Sequence, residues 1–168
     1  MKAVPSPPGN IDSIEGPLGC FVLFEHCAVC RSCCHIEPGY PPLEVVLLES
    51  EKQTLGSVCM VTQCEHLGPQ GCTLGSQKPL GCELYPLTYD PQAEVFHFDQ
   101  ACPLMPEYQR QLSDPLSEAS AHLSRMTARL QAVQATEPGF LHTNFAADSD
   151  YFELKPLVPP SPKKKAHR

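Results

Sequence analysis

The chain has no tryptophan, and only seven Phe and five Tyr in 168 residues. A core this poor in bulky side chains has little apolar area to bury, and such cores commonly depend on a metal or covalent staple. Long hydrophobic runs are also missing. No segment approaches the roughly 20 apolar residues that a membrane-spanning helix requires, so no membrane partner is expected. The first 19 residues carry one Lys, no continuous apolar region and no small-residue cleavage site, which argues against a secretory signal. A cytoplasmic, reducing location is expected on that basis. There, patterned cysteines read as metal or redox sites rather than as a disulfide framework. Positive charge is scarce as well, with 12 Lys and Arg against 19 Asp and Glu for a net −7. Four of the basic residues, Lys163, Lys164, Lys165 and Arg168, sit in the tail, so residues 1–160 carry −11. Such a body repels a phosphate backbone, and no nucleic-acid partner is expected.

Proline (19) and cysteine (10) are abundant instead. Residues 1–17, rich in Pro, Ser and Gly, read as a flexible arm. Residues 18–104 hold every cysteine and form the metal-binding region, 105–155 a helical part packing on it, and 156–168 a disordered basic tail. Within the first region, 43–55 (LEVVLLESEKQTL) reads as a short strand running into a helix. Segments 84–89 and 94–99 read as a β-hairpin turning at Asp90-Pro91-Gln92-Ala93. Further on, Asp114 reads as an N-cap with Pro115 at the first helical position. Leu116, Ala119, Leu123, Met126, Leu130 and Val133 then step by three and four, an apolar stripe that Glu137-Pro138-Gly139 ends. The stripe is expected to pack on the cysteine-bearing layer, with a dimerising coiled coil as the weaker alternative. Phe140, Phe145, Tyr151 and Phe152 are expected to wrap back onto the same core. The fold class is therefore α+β: a small, irregular, cysteine-rich, metal-bound domain with a β-hairpin and a covering C-terminal amphipathic helix.

Cys27, Cys30, Cys33 and Cys34 form a tight cluster, CAVCRSCC. A two-residue gap lets two sulfurs reach one metal while the backbone turns around it. Cys64, Cys72, Cys82 and Cys102 follow at wider gaps, with Gly71 and Gly81 each just before a cysteine, where backbone would approach a metal closely. Eight thiols suffice for two four-ligand sites, or for one cluster and one zinc. A zinc ribbon would pair CxxC with a second CxxC, and none is present. Iron–sulfur ligation of the C-x2-C-x2-C type matches Cys27, Cys30 and Cys33, with Cys102-Pro103 as the remote element, although Cys34 has no place in that scheme. The spacing favours an iron–sulfur cluster, of the 4Fe–4S type, with zinc as the alternative. Cys20 and Cys59 read as small buried hydrophobes. His26, His35 and His66 neighbour ligand regions and could replace a sulfur, although such histidines more often support a ligand or are exposed; Glu25, Glu65 and Glu83 read as solvated or supporting acids, and the remaining histidines carry no signal.

The run CAVCRSCC, then CEHLGPQGCTLGSQKPLGCELYPL, then Cys102-Pro103, resembles the YkgJ-type CxxCxxCC cysteine-cluster family, a zinc- or iron-chelating domain. The likeness covers about residues 20–104, with all eight cysteines in order. Leu74-Gly75 departs from the usual Ile-Tyr type pair, and Lys78-Pro79 stands where Arg-Pro is usual. A lysine does not replace the forked donors of an arginine. The resemblance implies metal binding through Cys27, Cys30, Cys33, Cys34, Cys64, Cys72, Cys82 and Cys102. A related pattern occurs in flagellin lysine methylases, whose reaction is not carried over to this short chain. Three functions remain open at this point: a redox or modification-related metalloprotein with a protein or redox partner, a structural zinc module, and metal storage or delivery. No catalytic residue is assigned, since no Ser-His-Asp array, phosphate-binding loop or carboxylate pair stands out.

Overall fold

The computed structural model describes residues 29–158. The expected arm over 1–17, Cys20, Cys27, His26, Glu25 and the tail lysines lie outside them. Among the described residues the architecture is α+β, with three small antiparallel sheets and five α-helices. The strand-then-helix reading of 43–55 resolves into β1 (Leu43–Glu44) and α1 (Glu49–Leu55), and β2 (Cys59–Met60) returns to pair with β1. Alternation along β2 sends Val58 and Met60 into the core and Cys59 outward. Cys59 is thus exposed, which corrects its reading as a buried hydrophobe.

β3 (Leu67–Gly68) and β4 (Gly71–Cys72) form a hairpin around Pro69-Gln70. Gly71 turns it at φ 100°, a conformation that other residues rarely adopt. The expected hairpin is present as β5 (Leu87–Asp90) and β6 (Val95–Asp99), with Leu87 opposite Phe98. Its turn is held by Asp90 Oδ1, which accepts the N–H groups of Gln92 and Ala93. The first strand starts later than expected because α2 (Leu80–Leu84) and a cis Tyr85–Pro86 bond precede it. A third strand, β7 (Leu154–Pro156), adds to β6. Order therefore runs past the boundary expected at 155: Leu157 is buried and its N–H donates to the Phe96 carbonyl at 2.8 Å.

The helical part comprises α3 (Met105–Gln111), α4 (Glu118–Thr136) and α5 (Pro138–Tyr151). α4 follows the expected stripe but begins later. Ser117 is its N-cap, accepting the Ser120 N–H at 3.2 Å, whereas Asp114 closes a tight turn by accepting the Leu116 N–H at 2.9 Å. Leu116 is left outside the helix and 93% exposed. Pro138 ends α4 and opens α5, where its missing N–H costs no helical bond. Ala119, Met126, Leu130 and Val133 of α4 join Leu80, Leu84, Leu87, Phe98 and Tyr108 in one core. The stripe is thereby spent within the chain, which leaves no apolar seam for the coiled-coil alternative. Phe140 enters the same core as expected, whereas Phe145 packs on His97, Phe152 on Tyr85, and Tyr151 on Tyr40 and Phe152, half-buried beside the core and not within it. No described helix is long and apolar enough to cross a membrane.

Met126→Ala, at a fully buried site, should cost about 2–5 kcal/mol in urea unfolding, from lost burial and the cavity left behind. Leu116→Ala should stay within about 0.5 kcal/mol.

Candidate metal centre

The first thiols lie on a short 3₁₀ turn, Ser32–Cys34, entered through Arg31 at φ 54°. The left-handed residue breaks any helical continuity from Cys30 to Cys34, so these cysteines do not share one helix face. Backbone bonds fasten the turn to the Cys64 segment: Cys64 N–H donates to the Cys34 carbonyl at 2.9 Å, and Ile36 N–H to the Thr62 carbonyl at 2.8 Å. From Cys64 a turn leads to Leu67, which pairs with Cys72 across the second hairpin. The Arg31 guanidinium donates to the Pro69 carbonyl at the tip of that hairpin. Cysteines up to 39 positions apart (Cys33 to Cys72) are thus gathered by main-chain pairing.

Cys82 arrives differently, on α2, a helix too short to be stable alone. Four groups from other helices hold it. The Glu51 carboxylate of α1 accepts the Leu80 N–H at 2.7 Å with one oxygen and the Leu48 N–H at 2.9 Å with the other. Buried His122 of α4 donates from Nε2 to the Glu83 carbonyl at 2.8 Å, since a carbonyl can only accept. Its Nδ1 then accepts the Tyr108 hydroxyl at 2.9 Å. Arg129 of α4 pairs with the Glu83 carboxylate. Asn144 of α5 lies so close to Gly81 that a Cβ there would come within 2.9 Å of its side-chain oxygen. A side chain at Gly81 would thus have to displace Asn144, so helix packing gives this glycine a reason of its own.

Five of the expected ligands, Cys33, Cys34, Cys64, Cys72 and Cys82, line one cavity of about 100 Å³, together with His66 and Lys78. Burial pushes the Cys82 thiol up to about 12; Lys78 opposes the shift, and Cys64, Cys34 and Cys72 add to it. A hydrogen bond with Cys33 and burial raise Cys34 far above the usual thiol range. Burial also raises Cys64, with Cys34, Cys72 and Glu65 contributing. The thiols thus lie close enough for each to hinder its neighbours' ionisation. Such a set suits a soft cation in donor type, because a metal reverses that repulsion. In arrangement they have not converged. Among the described residues no three His, Cys, Asp or Glu side chains are placed to hold a metal ion.

The other expected ligands stand apart. Cys30 is half-buried, its sulfur 3.1 Å from the Ser32 hydroxyl, and it does not line the cavity. Cys102 is buried in the main hydrophobic core, its N–H donating to the Asp99 carbonyl in a turn. Cys102 thus packs in the core and is not among the residues that line the cavity, while Pro103 is exposed. Glu83 is a helix clamp, and His35 is exposed with Nδ1 on the Arg31 carbonyl. Two residues that carry no sequence signal matter here, His122 and Glu51. The position of His122 three residues after Ala119 and four before Met126 was the available clue. No protein-family model matches the chain, no curated protein matches it, and no solved structure matches it. The likeness to the YkgJ-type pattern therefore rests on the cysteine spacing alone.

Glu51→Ala should cost about 1–3 kcal/mol by leaving the Leu80 and Leu48 amides unpaired. Faster exchange of the Leu80 amide would show it. Burial lowers His122 from 6.5 to about 4, with Arg125 and Lys78 adding to the effect. The folded state keeps it neutral while the unfolded chain protonates it. Its contribution is full above about pH 6.5 and is lost progressively as pH falls towards 4, on the order of 3 kcal/mol in total. His122→Gln should flatten that part of the stability–pH curve.

Proposed function

We propose that the chain is a thiolate metalloprotein whose centre is the cavity of Cys33, Cys34, Cys64, Cys72 and Cys82. The observation that carries this reading is that these thiols share one cavity, where burial, with neighbouring thiols adding, raises Cys82 and Cys64, and a hydrogen bond with Cys33 and burial raise Cys34. A cation there would draw off the protons and convert repulsion into ligation, so metal binding and folding would be coupled. Cys27 and Cys30 join the ligand set on spacing. Lys78 offsets the negative charge of several thiolates, which a lysine does without forked hydrogen bonds. An iron–sulfur cluster, of the 4Fe–4S type, is the favoured occupant, because more thiols line the cavity than one zinc ion requires. It would supply one-electron transfer, in a redox or modification reaction with a protein partner in the cytoplasm.

Two observations favour the second reading, a structural zinc module. His66 lines the cavity and can replace a sulfur on zinc, and Cys102 is held away in the core.

Anaerobic, iron-replete purification tests both. Iron, acid-labile sulfide and broad visible absorbance are expected. A colourless protein with stoichiometric zinc selects the second reading, and a protein holding neither metal sinks both. Cys64→Ser should lose most of the metal, and Cys59→Ser, altering an exposed thiol outside the cavity, should keep it.

A further inference from the structure

Cys34 and Cys64 face each other across a short antiparallel ladder, a relation that metal ligation alone does not require. His35 and Gln63 form an isolated antiparallel bridge. Two backbone bonds frame it: Ile36 N–H donates to the Thr62 carbonyl at 2.8 Å, and Cys64 N–H to the Cys34 carbonyl at 2.9 Å. That pattern makes Cys34 and Cys64 the next opposed pair, with Cα atoms about 5.5 Å apart. Opposed residues of an antiparallel pair point to the same face, and both cysteines line the cavity. Burial comes first among the causes that raise the Cys64 thiol, and Cys34 first among the thiols that do so. A disulfide needs Cα atoms about 4.4–6.8 Å apart, and most often about 5.5–6 Å. Cys33 is exposed, and its thiol is within hydrogen-bond reach of Cys34. The two are joined by a trans peptide, however, and Cα atoms so joined lie about 3.8 Å apart, short of that range. Cys82 lies on α2, outside this ladder.

We propose that Cys34 and Cys64 form a reversible disulfide that excludes metal from the cavity and so places the centre under redox control. The inference rests on the metal reading above in one respect, that these two thiols are ligands. The oxidant is a small disulfide such as oxidised glutathione. One protein thiol gives up its proton, attacks a glutathione sulfur and releases the first glutathione thiol. The second attacks the protein sulfur of the mixed disulfide and releases the other. One S–S bond is thus exchanged for another, and two electrons and two protons pass from the protein to two glutathione thiols. In reducing compartments the disulfides that do form are mostly transient and redox-sensing. The bond closes a loop over the 29 residues between the two cysteines, which carry β1, α1 and β2. Because metal binds the reduced form alone, metal and disulfide oppose each other.

The test equilibrates the full-length protein without oxygen in glutathione buffers of graded poise, both as purified with its metal and after chelation. Peptide mapping by mass spectrometry then locates the cross-links. A single Cys34–Cys64 bond is expected in the stripped protein. The loaded protein should need at least about tenfold more oxidised glutathione for half-conversion, and should release its metal as the bond forms. Cys33→Ser should keep the cross-link, and Cys34→Ser should abolish it. A Cys33–Cys34 bond, a bond from Cys64 to Cys72 or Cys82, a scrambled mixture, or no cross-link at any poise would overturn the inference. Equal oxidation of the loaded and stripped protein would overturn it as well. If the wild type holds no metal and still forms the Cys34–Cys64 bond, only the metal reading fails. If it holds metal and never forms that bond, only the present inference does.

Discussion

Five residues of helix cannot hold themselves in water, and α2 is five residues long. Its shape is imposed by a carboxylate from α1, an imidazole and a guanidinium from α4, and an amide from α5. Each contact secures a different part of the short helix: its first amide, its last turn, its acidic side chain and its glycine. The position of Cys82 therefore depends on the packing of the whole helical layer. The cysteine-free part of the chain after Cys102 thus acts as scaffold for Cys82.

The other cavity thiols sit under looser control. Cys34 and Cys64 are joined by one backbone bond, and Cys72 is tied in through a two-residue hairpin. This difference matters for a site built from mutually repelling groups. A metal must bring soft donors within bonding distance, and donors on turns can move at small cost while Cys82 stays fixed. The cavity thus combines one thiol on a braced helix with several on turns and a hairpin.

Local signals in the sequence led to the right elements where local physics decides them. Val95-Phe96-His97-Phe98 and the Asp90 turn define the hairpin, and the stripe from Ala119 to Val133 defines α4. The start of α4 was misread because Asp114-Pro115 carries strong cap chemistry; the structure uses it for a turn, and Ser117 does the capping. β7 was hidden by Lys155 and Pro156, residues that suit an edge strand but resemble a tail. Spacing grouped Cys33 and Cys34 with Cys27 and Cys30, and left Cys64, Cys72, Cys82 and Cys102 as a dispersed set; that five of these line one cavity is visible only in the fold. The removal of Cys102 to the core was not legible, since burial there depends on neighbours from α3 and α4. Glu51 was out of reach for a similar reason, as its partner Leu80 lies 29 residues away.

β7 also sets an order of events during synthesis. All ten cysteines precede residue 103, whereas Phe152 and Leu154, which help enclose the cavity, come some fifty residues later. A ribosome adding about 5–20 residues per second exposes the thiols for seconds before their cover has been made. Until then the cavity lacks two of its lining residues, and the sheet edge that carries one of them is the last part of it to be made.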